Sequence, residues 1–314
     1  MKKFQNEVYS LVDESFLSKF DNIHIDFMKH NYYSIYAQFC NHYHRVSLSE
    51  DDFFTNMHRR RIQLYQLCCP YCGTIDILIR DKKLQRTDGY NYCPHCGRGS
   101  AVENIRNQIN RYIRIANINR IGLKTLKEQH PNKEDWLIGY DCLQMEVIEL
   151  ASIIEVVFRD YFEALLYITN MGVKNDYLSS IVAKSTRNDF MNIEKANSIF
   201  KKAFNIDIKD KMDLNVWSDL TDIVNLRNMM VHNNGMVDNR FKRTQSFTRL
   251  KEKVEGPLYR LEDADVRKYL ESVVYAVTDI TNLFLKYFYA KRNSVIANHY
   301  FNKGTINLYM NKNE

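Results

Sequence analysis

Four of the chain's seven cysteines fall in two copies of one five-residue pattern, Cys69-Pro70-Tyr71-Cys72-Gly73 and Cys93-Pro94-His95-Cys96-Gly97, separated by 20 residues. Protein-bound zinc takes a tetrahedron of ligands, and two short Cys-x-x-Cys turns joined by a hairpin deliver four thiolates from opposite sides. The glycine after each second cysteine supplies the left-handed backbone that so tight a turn requires. Between the turns, the stretch from Thr74 to Ile79 alternates in part and is β-branched, which predicts a short strand. Cys69, Cys72, Cys93 and Cys96 are all sulfur ligands and leave no open position, so the expected zinc is structural and not catalytic. Cys68 adjoins Cys69 and could replace it in a shifted register, although the symmetry of the two copies favours Cys69. His95 lies inside the second turn, where a ligand would break the four-cysteine set, so it is read as facing solvent.

The paired turns resemble a zinc ribbon, a module that commonly binds nucleic acid or protein. The remaining cysteines, Cys40, Cys68 and Cys142, are scattered, and this usage suits a reducing compartment with a metal site better than a disulfide framework. No apolar run approaches the ~20 residues of a membrane span, and the first residues lack the apolar core of a signal peptide. The chain is therefore expected to be cytoplasmic, with no membrane partner. Its net charge of +6 over 314 residues permits an anionic partner without demanding one. The 21 tyrosines and 17 phenylalanines can stack on bases, but core packing accounts for most of them.

Five regions follow from the pattern along the chain. Residues 1–66 are aromatic and basic, with helices expected near Phe4–Phe20 and Tyr32–Tyr43. They end in His58-Arg59-Arg60-Arg61, which reads either as a solvated helix face or as a phosphate-contacting patch. Residues 67–99 form the ribbon and 100–136 a basic helical connector, with His130-Pro131 as a turn at the boundary. In 137–290, apolar residues such as Val147, Leu150, Ile154, Val157 and Tyr161 advance in steps of three and four and predict a long helix with one buried stripe. Val266, Val273, Ile280 and Phe284 repeat the pattern in a second long helix, with shorter helices near 193–204 and 214–232 between them. Residues 291–314 are a polar tail. The fold class is mainly α: a small β zinc ribbon in a helical N-terminal region, then an up-and-down helical bundle.

The helix at 214–232 carries Asp222-Ile-Val-Asn-Leu-Arg227-Asn228-Met-Met-Val-His232, with Asp213 as a plausible N-cap and Gly235 just past its end. Arg227 falls about 50° from the centre of the apolar stripe, at the edge of the core, while His232 lies well round to the side. A guanidinium there is costly unless a carboxylate or a phosphate meets it. Imidazole moves a proton near neutral pH and guanidinium holds a phosphate by two contacts, so the pair suits phosphodiester chemistry. Asn228 and His232 are four apart on one face, so Asn228 can orient the imidazole.

These residues resemble the RNxxxH motif of the HEPN superfamily, many of whose members are metal-independent endoribonucleases. The resemblance covers roughly residues 137–290. It implies that two bundles pair so that both motifs line one cleft, making the chain a homodimer acting on RNA such as tRNA or mRNA. Arg227 would hold the scissile phosphate, His232 would be general acid or base, and Asn228 would position them. Glu155 on the first long helix is the candidate supporting residue. Attack by the RNA's own 2′-hydroxyl would leave a 2′,3′-cyclic phosphate and a 5′-hydroxyl, with no catalytic metal. Family association further implies anti-phage defence or toxin action. The alternative is a non-enzymatic regulator in which the ribbon binds nucleic acid and the bundle dimerises.

Overall fold

The structure is a computed structural model and describes residues 9–10, 30, 33–34, 36–38, 40–42, 44–55, 62–81, 93, 95–129, 136–171, 180 and 189–300. Among these the chain is mainly helical, and its contacts divide it into two units. The first comprises residues 1–100, 167–175 and 287–314, the second residues 101–166 and 176–286.

In the first unit the described strands are β1 (Tyr9–Ser10), β2 (Ile62–Cys68) and β3 (Ile75–Asp81), antiparallel in the order β1-β2-β3. Leu64 lies opposite Ile79 and Cys68 opposite Ile75, so the hairpin closes directly on the first cysteine turn. The strand expected after that turn is present and runs on to Asp81, whereas β2 before the turn was not expected. Tyr9 and Ser10 pair with Gln66 and Tyr65, where a helix over Phe4–Phe20 was expected. The free edge of β2 offers unpaired backbone donors and acceptors, and that pairing overrides local helix preference. The rest of Phe4–Phe20, the cluster His58–Arg61 and the turn at His130 lie outside the described residues. The described residues between 33 and 42 are helical, as expected. A short helix, α1 (Glu50–Thr55), starts at Ser49, whose hydroxyl accepts from the Asp52 N–H at 3.2 Å, and Tyr36 stacks on Phe53 with ring centres 4.4 Å apart.

The helices that make up the second unit are α2 (Ala101–Gln129), α3 (Trp136–Thr169), α4 (Ile193–Phe204), α5 (Leu214–Asn233), α6 (Gln245–Leu250) and α7 (Asp263–Tyr300). A two-stranded hairpin, β4 (Val254–Glu255) with β5 (Leu258–Tyr259), joins α6 to α7. The last residues of α3 and of α7 count with the first unit.

α3 is buried on more than the one stripe expected: Ile153, Val156 and Phe158 are covered as well as Val147, Leu150 and Ile154. α3 is covered over a broad face and keeps a narrower, half-buried polar side with Ser152, Glu155, Arg159 and Glu163. Tyr161 stacks on Phe284 of α7 at 4.1 Å, while Phe158 meets Phe200 of α4 and Trp217 of α5 edge-on. Each such ring, fully buried, contributes about 1.5–3 kcal/mol by removing apolar area from water. α2 lies along the same helix and is more than a connector. Its Asn104 donates to buried Asp160 at 3.1 Å, and Tyr112 donates to Glu146 at 3.2 Å. α7 continues through Tyr300, past the start of the expected tail. Among the described residues no helix is long and apolar enough to cross a membrane.

Candidate functional site

Two sets of residues carry chemistry. In the first unit, Cys69, Cys72, Cys93 and Cys96 bring their sulfurs within 4.8 Å of one another. Two sulfur–sulfur distances are 3.8 Å (Cys69 to Cys96) and 3.7 Å (Cys72 to Cys93). Zinc–thiolate bonds of ~2.3 Å in a tetrahedron require edges of about 3.8 Å, so the four thiols fit a metal such as zinc.

The backbone shows why. The Gly73 N–H donates to the Cys69 carbonyl at 3.1 Å and the Gly97 N–H to the Cys93 carbonyl at 2.8 Å, with φ of 74° and 70° at the two glycines. A side chain is strained in that region, and glycine is not. Burial opposes ionisation of Cys72, but hydrogen bonds from Thr74, Cys69 and Cys93 outweigh it and bring the thiol down to about 7. Burial pushes the Cys69 thiol up. Cys68 turns away, with its sulfur 3.9 Å from that of Met171, so the register is the one centred on Cys69. His95 is exposed and outside the cluster. Arg98 lies over the ring of Tyr71, the variable residue of the first turn, at 4.5 Å from its centre.

In the second unit, α5 is set by its ends. The Asp213 carboxylate accepts from the N–H groups of Asn215 and Val216 at 2.8 and 3.4 Å, closing the first turn. Asn234 and Gly235, with φ of 50° and 78°, stop the helix just beyond His232. At Gly235 a Cβ would lie 2.7 Å from the Tyr140 hydroxyl, so both conformation and space demand glycine. The Tyr140 hydroxyl donates to the Tyr259 carbonyl at 2.7 Å, and the Val237 N–H donates to the Pro257 carbonyl at 2.7 Å, tying this turn to α3 and to the hairpin.

The core side of α5 buries Leu220, Ile223, Leu226 and Met230 together with two carboxylates. Asp219 accepts from Lys268 at 2.6 Å and from Ser272 at 2.7 Å, and Asp222 pairs with Arg249. That pairing raises the Arg249 guanidinium above its ordinary range.

The opposite side of α5 is the floor of an open groove of about 850 Å³. Leu214, Ser218, Thr221, Asn225, Asn228 and His232, spaced at alternate steps of four and three, lie along it. Further walls come from the first turn of α4, from Lys209, and from the segment 240–249. Five lysines and arginines line the groove (Lys195, Lys209, Arg227, Arg240 and Arg249) against two carboxylates, Asp189 and Glu194.

Arg227, Asn228 and His232 therefore open on one space. Arg227 is half-buried, donates to the Asn228 side-chain oxygen at 3.0 Å, and makes no ion pair among the described residues. His232 is exposed in the last turn. Glu155 is not brought to them: it is half-buried on α3, accepts from Arg159 at 3.4 Å, and does not line the groove.

The far end of the groove was not singled out from sequence. There the Trp217 indole donates to Glu194 at 2.9 Å, Lys209 reaches the same carboxylate oxygen at 2.9 Å, and the Lys209 ammonium stands 5.7 Å from the indole centre. Burial opposes ionisation of Glu194, but these two donors outweigh it and hold the carboxyl below its ordinary range. Only the helix phase of Trp217, on the His232 side of α5, hinted at it. No model of a known protein family, no curated protein and no solved structure matches the chain.

Proposed function

We propose that the chain is an endoribonuclease of the HEPN type, whose second unit is a HEPN-like bundle with its site on the open face of α5. The observation that carries this reading is the half-buried guanidinium of Arg227, which shares an open, positively lined groove with His232 and has no carboxylate partner among the described residues. A buried-edge cation left unpaired is costly unless an anion completes it, and an RNA phosphate does so. In the reaction the RNA's 2′-hydroxyl attacks the adjacent phosphorus and the bond to the 5′-oxygen breaks. One proton leaves the 2′-oxygen and one reaches the departing 5′-oxygen, yielding a 2′,3′-cyclic phosphate and a 5′-hydroxyl. His232 handles one of these transfers, Arg227 neutralises charge on the phosphate, and Asn228 holds the guanidinium. A second copy of the chain supplies the second motif. The four cysteines hold a structural zinc in a ribbon-like module, and defence against phages or toxin action is the biological setting.

The test is cleavage of cellular RNA with no added divalent metal. Arg227→Ala and His232→Ala should each lower the rate by ~10²–10⁴-fold while the folded dimer persists. DNA should be spared. Undiminished cleavage by both variants would remove the site.

The four-cysteine centre favours a second reading, a nucleic-acid-binding regulator. It predicts salt-sensitive binding to duplex DNA and no RNA loss on overexpression.

A further inference from the structure

The groove extends well past Arg227 and His232. Its floor runs from Leu214 to His232, 18 residue steps or roughly 27 Å of helix. The groove is open to solvent along this face, so an extended strand can lie in it lengthwise. At the Trp217 end, roughly 22 Å along the axis from His232, stand Lys195 and Lys209. Their carboxylate partners, Asp189 at 3.0 Å and Glu194 at 2.9 Å, are solvent-accessible ones. Exposed pairs of this kind hold by ~1 kcal/mol or less, so a phosphate displaces them readily. Arg227, Arg240 and Arg249 give the rest of the lining its excess of cations, and both carboxylates of the groove stand at this end.

We infer that Lys195 and Lys209 form a distal phosphate-holding subsite, which grips single-stranded RNA roughly six stacked nucleotides from the linkage at Arg227 and His232. This rests on the endoribonuclease reading of the same groove. The strand lies along the α5 face, its backbone between the two groups of cations. Bases pass Thr221 and Asn225, whose side chains offer hydrogen bonds, and reach the edge of the Trp217 pocket. The subsite makes the enzyme measure length: a substrate too short to reach Lys195 and Lys209 forgoes their contribution to binding but not the chemistry.

The experiment compares the wild-type chain with Lys195→Gln/Lys209→Gln, on an eight-nucleotide RNA and on a trinucleotide. The double variant should raise KM for the octamer on the order of tenfold with kcat unchanged, and leave the trinucleotide unaffected. A second readout needs no cleavage. The chain has two tryptophans, so Trp136→Phe leaves the Trp217 indole as the sole reporter. A 2′-deoxy octamer should quench it, with a salt slope of log K about 1.4 smaller in the double variant, at ~0.7 for each phosphate no longer neutralised. Unchanged KM and unchanged salt slope would overturn the subsite, as would equal quenching by a duplex octamer or tighter binding of a polyglutamate peptide. If the deoxy octamer binds with the predicted lysine dependence but the wild type cuts no RNA, the subsite stands and the nuclease reading falls. If His232→Ala abolishes cleavage while the lysine variant behaves as wild type, the reverse holds.

Discussion

Around the four cysteines, every geometric constraint lies within a few residues of the ligand it serves, whereas the α5 groove is assembled from segments far apart in the chain. Each Cys-x-x-Cys turn carries its own hydrogen bond and its own left-handed glycine, and the pairing of β2 with β3 sets the first of them. The groove draws on residues from Asp189 to Arg249, and what places them is aromatic packing on α3. The difference teaches where each region is vulnerable. One fails when a single ligand is removed, the other when packing or a helix end is disturbed.

The comparison is most severely tested by metal. Cys69→Ser should lose one zinc per chain, measured by elemental analysis, together with the ~10–16 kcal/mol of folding free energy that a structural zinc supplies. Hydrogen exchange should then rise across residues 62–81 while α3 and α5 keep their protection. Collapse of the helices as well would break the contrast.

The groove's own weak point is the turn after His232. Gly235→Ala meets both a positive φ and the Tyr140 hydroxyl, and should destabilise by about 2–4 kcal/mol in urea unfolding. Adding Tyr140→Phe should recover part of that stability by removing the clashing oxygen. No destabilisation at all would mean the turn does not hold α5.

The smallest effect is a pH dependence. Hydrogen bonds from Lys201 and Asn197 hold the Asp207 carboxyl down at about 2 from an ordinary 3.8. A depressed carboxyl stabilises above its unfolded pKa, so the contribution is full above about 3.8 and fades as pH falls toward 2. Asp207→Asn should lower the melting temperature slightly at neutral pH, with the difference from wild type closing as pH falls from about 3.8 toward 2.

How much of this was legible in the sequence follows the same division. The four cysteines that come together could be named because their spacing is a local fact, and the alternative at Cys68 was decided by its sulfur turning to Met171. The ends of α5 were legible through Asp213 and Gly235, and helix phase placed Arg227 at the core edge, where it is half-buried. β2 escaped because its apolar alternation, Ile62-Gln63-Leu64, runs up to the cysteine turn without a turn residue to announce it. The role of α2 against α3 escaped too, since its buried stripe of Ala101, Ile105, Tyr112 and Ala116 does not say which neighbour covers it, and the bonds that do, from Asn104, Arg111 and Tyr112, are polar. Glu155 was named for its place along α3, but which way a mid-helix carboxylate faces depends on neighbours, and Arg159 claims it. The Trp217 end depended on which helices approach α5, which no local pattern reports.

The two carboxylates beneath α5 also govern its rotation about its own axis. Apolar ridges let a helix roll a few degrees at little cost, because one methyl contact substitutes for another. Asp219 and Asp222 do not permit that, since directional bonds to Lys268 and Ser272 on one neighbour and to Arg249 on another fix the angle at which the cylinder is set. The helix is keyed like a shaft with two splines. Its solvent side can be rewritten at Leu214, Ser218 or Thr221 without disturbing the phase at which every other residue on that side is presented.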